Sequence, residues 1–211
     1  MLGFPQMGQK VFISSGHPKE YAHIAWGNIG SQFYGYIVGY KEAADTIIQH
    51  ALVKGDNRTL DTTVYPACFL YRQYLELTLK DIYLSNSKET IQEKEKTLRG
   101  CQHNLRKIWA KAKELIIDDF SDGDKVILKA VESYINQFAD EDSNSFTFRY
   151  PVTKDLDPVH KNEKIINLKN LAKRMDELET FLSAVSTGMD VHRDLENKMI
   201  PYYAIEFDNY Y

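Results

Sequence analysis

Apolar residues recurring at intervals of three and four lay out a series of helices along this chain. Between residues 33 and 53, Tyr36, Ile37, Tyr40, Ala43, Ala44, Ile47, Ile48, Ala51 and Leu52 keep that spacing and predict an amphipathic helix, which Gly55, Asp56 and Asn57 end. A second helix is expected from about Thr59, with Pro66 in its first turn or at a slight kink. Over residues 64–83 it is apolar on two sides: Cys68, Tyr71, Leu75, Leu79 and Ile82 on one, Leu70, Tyr74 and Leu77, continued by Leu84, on the other. Between them runs a narrow polar stripe of Arg72, Glu76 and Lys80, each four residues after the last. A helix apolar on both flanks belongs inside a bundle, so these charges must be paired or must face a cleft.

Mixed Lys and Glu over residues 85–99 read as a solvated helical extension or loop. Gly100 then opens a third core helix with Leu105, Ile108, Trp109, Ala112, Leu115 and Ile116. A fourth follows Ser121, an N-cap with Asp124 in the first turn, and carries Ile127, Ala130, Val131, Tyr134, Ile135 and Phe138. Residues 140–157 break the pattern, and Phe146, Phe148 and Tyr150 alternate there as a short strand would, with Arg149 on the other side. A last clean helix carries Leu168, Leu171, Met175, Leu178, Leu182 and Val185 and closes at Gly188. A small helix near residues 190–198 and an aromatic tail complete the chain. Pro201 starts that tail in an extended conformation, so Tyr203, Ile205 and Phe207 alternate as in a strand.

The sum is an all-α protein: an antiparallel four-to-five-helix bundle with a short extended excursion and an irregular N-terminal arm. The arm spans residues 1–32, the bundle 33–188, and a C-terminal helix with its tail 189–211. Gly3, Gly8, Gly16, Gly27, Gly30, Pro5 and Pro18 make the arm irregular, with one short helix around residues 19–26. Phe4, Phe12, Tyr21 and Trp26 suggest that it packs on the body.

Composition adds exclusions. With 211 residues, 27% charged and a net charge of −4, the chain reads as a soluble protein of one domain, or of one domain with appendages, and offers no bulk-charge argument for nucleic acid. Cys68 and Cys101 lack metal-ligand spacing and read as reduced thiols of a cytoplasmic protein. The N-terminus lacks the pattern of a signal peptide, and no apolar run approaches the ~20 residues a bilayer span needs. There is no phosphate loop, HExxH, CxxC or nucleophile elbow, and the six histidines never fall at ligand spacing, so neither metal nor cofactor is expected.

Chemistry is left to Arg72, Glu76, Lys80, His103 and Arg149. They read either as a buried network, with Arg149 and His103 pinning the excursion to the bundle, or as a cleft for phosphate or a base. In the cleft, Arg72, Lys80 and Arg149 would be cations and His103 a candidate catalytic proton-transfer group. Tyr202, Tyr203, Phe207, Tyr210 and Tyr211 crowd the tail and are candidate partner contacts, because tyrosine buries area while keeping a polar tip.

Three segments in order carry a resemblance: the YPACFLYRQYLELTLK run at 65–80, His103-Asn104-Leu105 shortly before Trp109, and Phe148-Arg149-Tyr150-Pro151. Together they resemble bacterial proteins of the HEPN type, whose usual His-Asp-Leu matches His103-Asn104-Leu105, and the resemblance covers roughly residues 36–185. It implies a helical bundle that often dimerises. Members act in toxin–antitoxin and phage-defence systems, some as metal-independent ribonucleases, others as inactive binding modules. Active members place four to six residues between an Arg and the His; here Arg99 precedes His103 by only three intervening residues. The sequence therefore points to a non-catalytic interaction module with a protein partner or a second copy. The alternative is a metal-independent endoribonuclease, or a nucleotide- or RNA-binding protein with a non-standard site.

Overall fold

The computed structural model describes residues 3–120 and 125–208, the side chains of 196–208 excepted. Six α-helices form among the described residues: α1 (Ile29–Lys54), α2 (Asn57–Asn86), α3 (Ile91–Cys101), α4 (Leu105–Asp119), α5 (Lys125–Glu141) and α6 (Leu168–Asp208). No strand forms among the described residues; one isolated bridge joins Val152 to Pro158. The protein is all-α, and α1, α2, α4, α5 and α6 share one core.

Local chemistry explains the helix ends. Asn28 caps α1, its side chain accepting from Ser31 N–H, and Gly55 closes it in the left-handed conformation at φ 65°. Asp56 immediately caps α2 by accepting from Thr59 N–H, so two residues turn the chain from one long helix into the next. Pro66 lies inside α2, beyond its first turn. Thr90 and Glu93 form a reciprocal capping box on α3.

α2 is the centre of the core. Ala67, Cys68, Tyr71, Leu75, Leu79 and Ile82 are buried, while Leu70, Leu77 and Leu84 on the other flank are half-buried. Against it lie Ala44, Ile48 and Ala51 of α1, Leu105, Ile108, Trp109 and Ala112 of α4, and Met175, Leu178 and Leu182 of α6.

Several expectations are corrected. Gly100 does not open a helix; it lies inside α3, and the break comes at Gln102 and His103. The expected strand at Phe146–Tyr150 is a turn: the Asp142 carboxylate accepts from Phe146 N–H at 2.8 Å and from Thr147 N–H at 3.2 Å, and Arg149 N–H bonds Phe146 C=O. That local capping outcompetes an extended segment with no neighbour to pair with. The short helix expected around residues 19–26 is one 3-10 turn, Pro18–Glu20.

Gly188 does not close the last helix. A Cβ there would lie 2.7 Å from Phe120 Cζ, so the glycine admits the Phe120 ring from the end of α4 while α6 runs on. Beyond it the His192 ring lies on Phe120 (centroids 5.3 Å apart), and His192 Nδ1 is 2.9 Å from Asp119 Oδ2. Pro201 does not start an extended tail either, because the backbone is helical to Asp208. Proline's fixed φ suits a helix, and only one i→i−4 bond is forgone. The Ser121 cap and Asp124, and Tyr210 and Tyr211 of the tail, lie outside the described residues; Tyr202, Tyr203 and Phe207 lie on the helical backbone of α6.

Most of the arm does not pack on the body as expected; Trp26, at its root, lies against Gly35 of α1. Phe4, Val11, Phe12 and Ile24 are 90–93% exposed, and Tyr21 and Trp26 are partly so. Aromatic content shows that a segment needs cover; it does not say that its own bundle supplies it.

Candidate functional site

The stripe on α2 becomes a closed network in the interior. Arg72 is 0% and Glu76 3% exposed. Their i,i+4 spacing lets Arg72 Nη1 donate to Glu76 Oε2 at 3.0 Å, and one turn later Lys80 Nζ donates to Glu76 Oε1 at 2.6 Å. His103, between α3 and α4, places Nδ1 2.9 Å from the same Oε1. A carboxylate can only accept, so Nδ1 carries the proton in this contact and Nε2 is the basic nitrogen of the neutral ring.

The remaining Arg72 donors reach backbone. Nε donates to Asp142 C=O at 3.3 Å and Nη2 to His103 C=O. One guanidinium thus ties α2 to the turn after α5 and to the link between α3 and α4. Beside it, Gln73 Nε2 donates to Ser145 Oγ, and Asp142 and Ser145 are both buried.

The charges follow from this geometry. Burial alone would raise the Glu76 pKa, but Lys80, His103 and Arg72 outweigh it and hold the carboxyl below its ordinary value. Burial lowers the Arg72 pKa against the pull of Glu76 and Asp142; a guanidinium stays charged nonetheless.

The link that presents His103 is strained. Gln102 has φ 50° and ψ −116°, close to the first central position of a type II′ turn, which favours glycine, and Asn104 N–H closes the turn on Cys101 C=O at 2.9 Å. A side chain there costs about 1–3 kcal/mol. Gln102→Gly is therefore expected to stabilise the fold by ~1 kcal/mol, read as a rise of about 2–4 °C in melting temperature.

Of the sequence candidates, Arg72, Glu76, Lys80 and His103 come together. Arg149 does not: it is exposed and lies over the Tyr150 ring, 5.3 Å from its centroid. The excursion is pinned by Asp142 and Ser145 instead, neither of which was singled out in the sequence. The signal available was Asp142 four residues before Phe146, the reach of a side chain capping its own turn.

On the solvent side, Lys80, Glu95, Leu98, Arg99, Gln102 and His103 line a shallow depression of about 480 Å³. The His103 side chain is 61% exposed there, but Arg99 is engaged by Glu95 at 2.9 and 2.6 Å and Lys80 by Glu76.

A second cluster escaped the sequence reading. Lys41 of α1 is buried, with Nζ 2.7 Å from Asp45, 2.8 Å from Asp176 and 3.0 Å from Glu179, while Tyr71 O–H donates to Asp45 at 2.6 Å. Burial would lower the Lys41 pKa, but the three carboxylates more than reverse this and raise it. The sequence signal was a lysine on the apolar face of α1, three residues before Ala44 and seven before Ile48.

Among the described residues no group of three or more His, Cys, Asp or Glu could hold a metal ion. No described helix is long and apolar enough to cross a membrane. Cys68 and Cys101 are free thiols, both buried; burial pushes the Cys68 thiol up to about 12. No protein-family model matches the chain, nor does any curated protein or solved structure.

Proposed function

We propose that this chain is a non-catalytic HEPN-like interaction module, a subunit of a bacterial antiviral defence or toxin–antitoxin assembly that works through protein contacts. The observation that carries this reading is the closure of the polar stripe. Arg72, one of the three cations of the candidate cleft, is fully buried with its donors on Glu76, His103 C=O and Asp142 C=O, so no phosphate can reach it. Nucleic-acid binding needs open cations able to displace counterions. Here Lys80 and Arg99 are each paired with a glutamate, and Arg149 lies outside the group.

One observation favours the alternative. His103 is exposed, and the Glu76 carboxylate orients its ring by holding Nδ1, an arrangement that equips an imidazole for proton transfer. A metal-independent ribonuclease would use it with Lys80 or Arg99 as the cation.

Co-purification separates the two readings. A tagged chain isolated from its host under gentle salt is expected to bring a protein partner at near-stoichiometric amount, with an absorbance ratio free of nucleic acid. Recovery of RNA that is lost in His103→Ala would instead support the alternative.

A further inference from the structure

We propose that the N-terminal arm is a docking segment that a second copy of this chain receives in the groove at the C-terminal end of its α1, reciprocally across a two-fold axis. The proposal rests on the reading of the chain as a protein-contact module and names one partner.

The arm is unburied but not structureless. His17 caps the Pro18–Glu20 turn, Tyr21 O–H donates to Gly16 C=O at 2.6 Å, and Trp26 lies against Gly35 of α1, which fixes the root of the arm. From that root project Phe4, Met7, Val11, Phe12, Ile13 and Ile24, all exposed. A large side chain presents on the order of 150 Å², so six amount to ~900 Å². That matches the ~800 Å² one partner contributes to a standard interface. Apolar side chains left bare in this number mark a segment that needs cover.

The receiving groove measures about 660 Å³ and lies where α1 meets α2, under the segment leading into α6. Leu52, Tyr65 and Ile165 line it, and all three are exposed. Its charged lining is acidic, with Asp61, Glu141 and Glu163 against Lys164. The arm carries Lys10 and Lys19 against Glu20 alone. The signs are complementary, which favours correct pairing over other dockings.

Geometry supplies the exchange. The arm leaves the N-terminal end of α1 while the groove lies at the other end, roughly 35 Å away at 1.5 Å per residue. Two α1 helices related by a two-fold axis across their length bring each root beside the other copy's groove, an isologous arrangement that closes. No arm residue lines the groove of its own chain.

Light scattering on the purified full chain tests this. The wild type is expected to be a dimer at tens of micromolar. Phe4→Ser/Phe12→Ser/Ile24→Ser in the arm and Ile165→Glu in the groove each alter only exposed side chains. Each should weaken dimerisation about 100-fold or more, the scale of losing central contacts, with an unchanged melting temperature for the monomer. Mixing the two variants restores one intact arm and one intact groove per pair, so a heterodimer of intermediate strength is expected. A monomeric wild type, an arm variant that stays dimeric, an Ile165→Glu variant that stays dimeric, or a mixture that stays monomeric would each overturn the exchange. Such a failure leaves the protein-contact reading to the host co-purification, which uses different partners and a different readout.

Discussion

Replacing Glu76 by alanine is expected to destabilise the protein by ~3–5 kcal/mol, the range for removing one member of a buried ion pair. For a chain of this size that lowers the melting temperature by about 6–12 °C or more. The reason is asymmetry: the pair is not worth that much net, but the orphaned partner is costly. Without Glu76, Arg72 stays charged at 0% exposure with hydrogen bonds to backbone carbonyls alone, and Lys80 and His103 lose their common acceptor. The pH dependence has a definite sign. The folded-state pKa of Glu76 is lowered, so its stabilisation is full above the unfolded value of about 4.3 and is lost as pH falls through the folded value. The gap between wild type and Glu76→Ala should therefore be widest near neutrality and shrink below about pH 4. A variant melting within a degree of wild type would contradict the buried network.

Lys41→Met should cost ~2 kcal/mol or more, less than Glu76→Ala, because the carboxylates it leaves behind reach solvent and are screened. Methionine keeps the packing of the lysine stem, so the loss is electrostatic. Asp45 of α1 then faces Asp176 and Glu179 of α6 with no cation between, and the α1–α6 contact loosens. In wild type the Lys41 pKa is raised, so its stabilisation is fully present below the unfolded value of about 10.4 and fades only as pH rises through the folded one. Equal melting temperatures at pH 7 would show that Lys41 does not join the two helices.

What could be read from the sequence divides along local and non-local lines. The two apolar flanks of α2 and the Arg72–Glu76–Lys80 stripe follow from 3.6-residue geometry, and burial and pairing turn out as the spacing implies. His103 was legible by the company it keeps, in Gln-His-Asn-Leu ahead of Trp109. Arg149 was misplaced because an alternating aromatic run mimics a strand, whereas a side chain four residues upstream of Phe146 folds the turn. Lys41 carries a local signal in its place on the apolar face of α1 and in Asp45 four residues on, but the cluster is not legible from it, because two of its three partners lie on α6, some 135 residues away. Gly188 looked like a helix stop; its absent side chain instead admits a ring from α4, and nothing local distinguishes the two uses.

The arm illustrates a different limit. Apolar content signals that a surface is to be covered, and only the arrangement of the bundle shows that its own helices leave Phe4, Phe12 and Ile24 bare. The tail is a related case. Alternating aromatics and Pro201 favoured an extended segment, while the backbone continues as helix to Asp208, which places Tyr203 and Phe207 one turn apart on a single helix instead of on the same side of a strand.

On the proposed reading, the network around Glu76 serves the fold and does not cleave RNA. Incubating the purified wild-type chain with total RNA in EDTA, followed on a denaturing gel, tests it most directly. Intact RNA over hours at micromolar protein is the expected result; cleavage that survives EDTA and disappears in His103→Ala would contradict it.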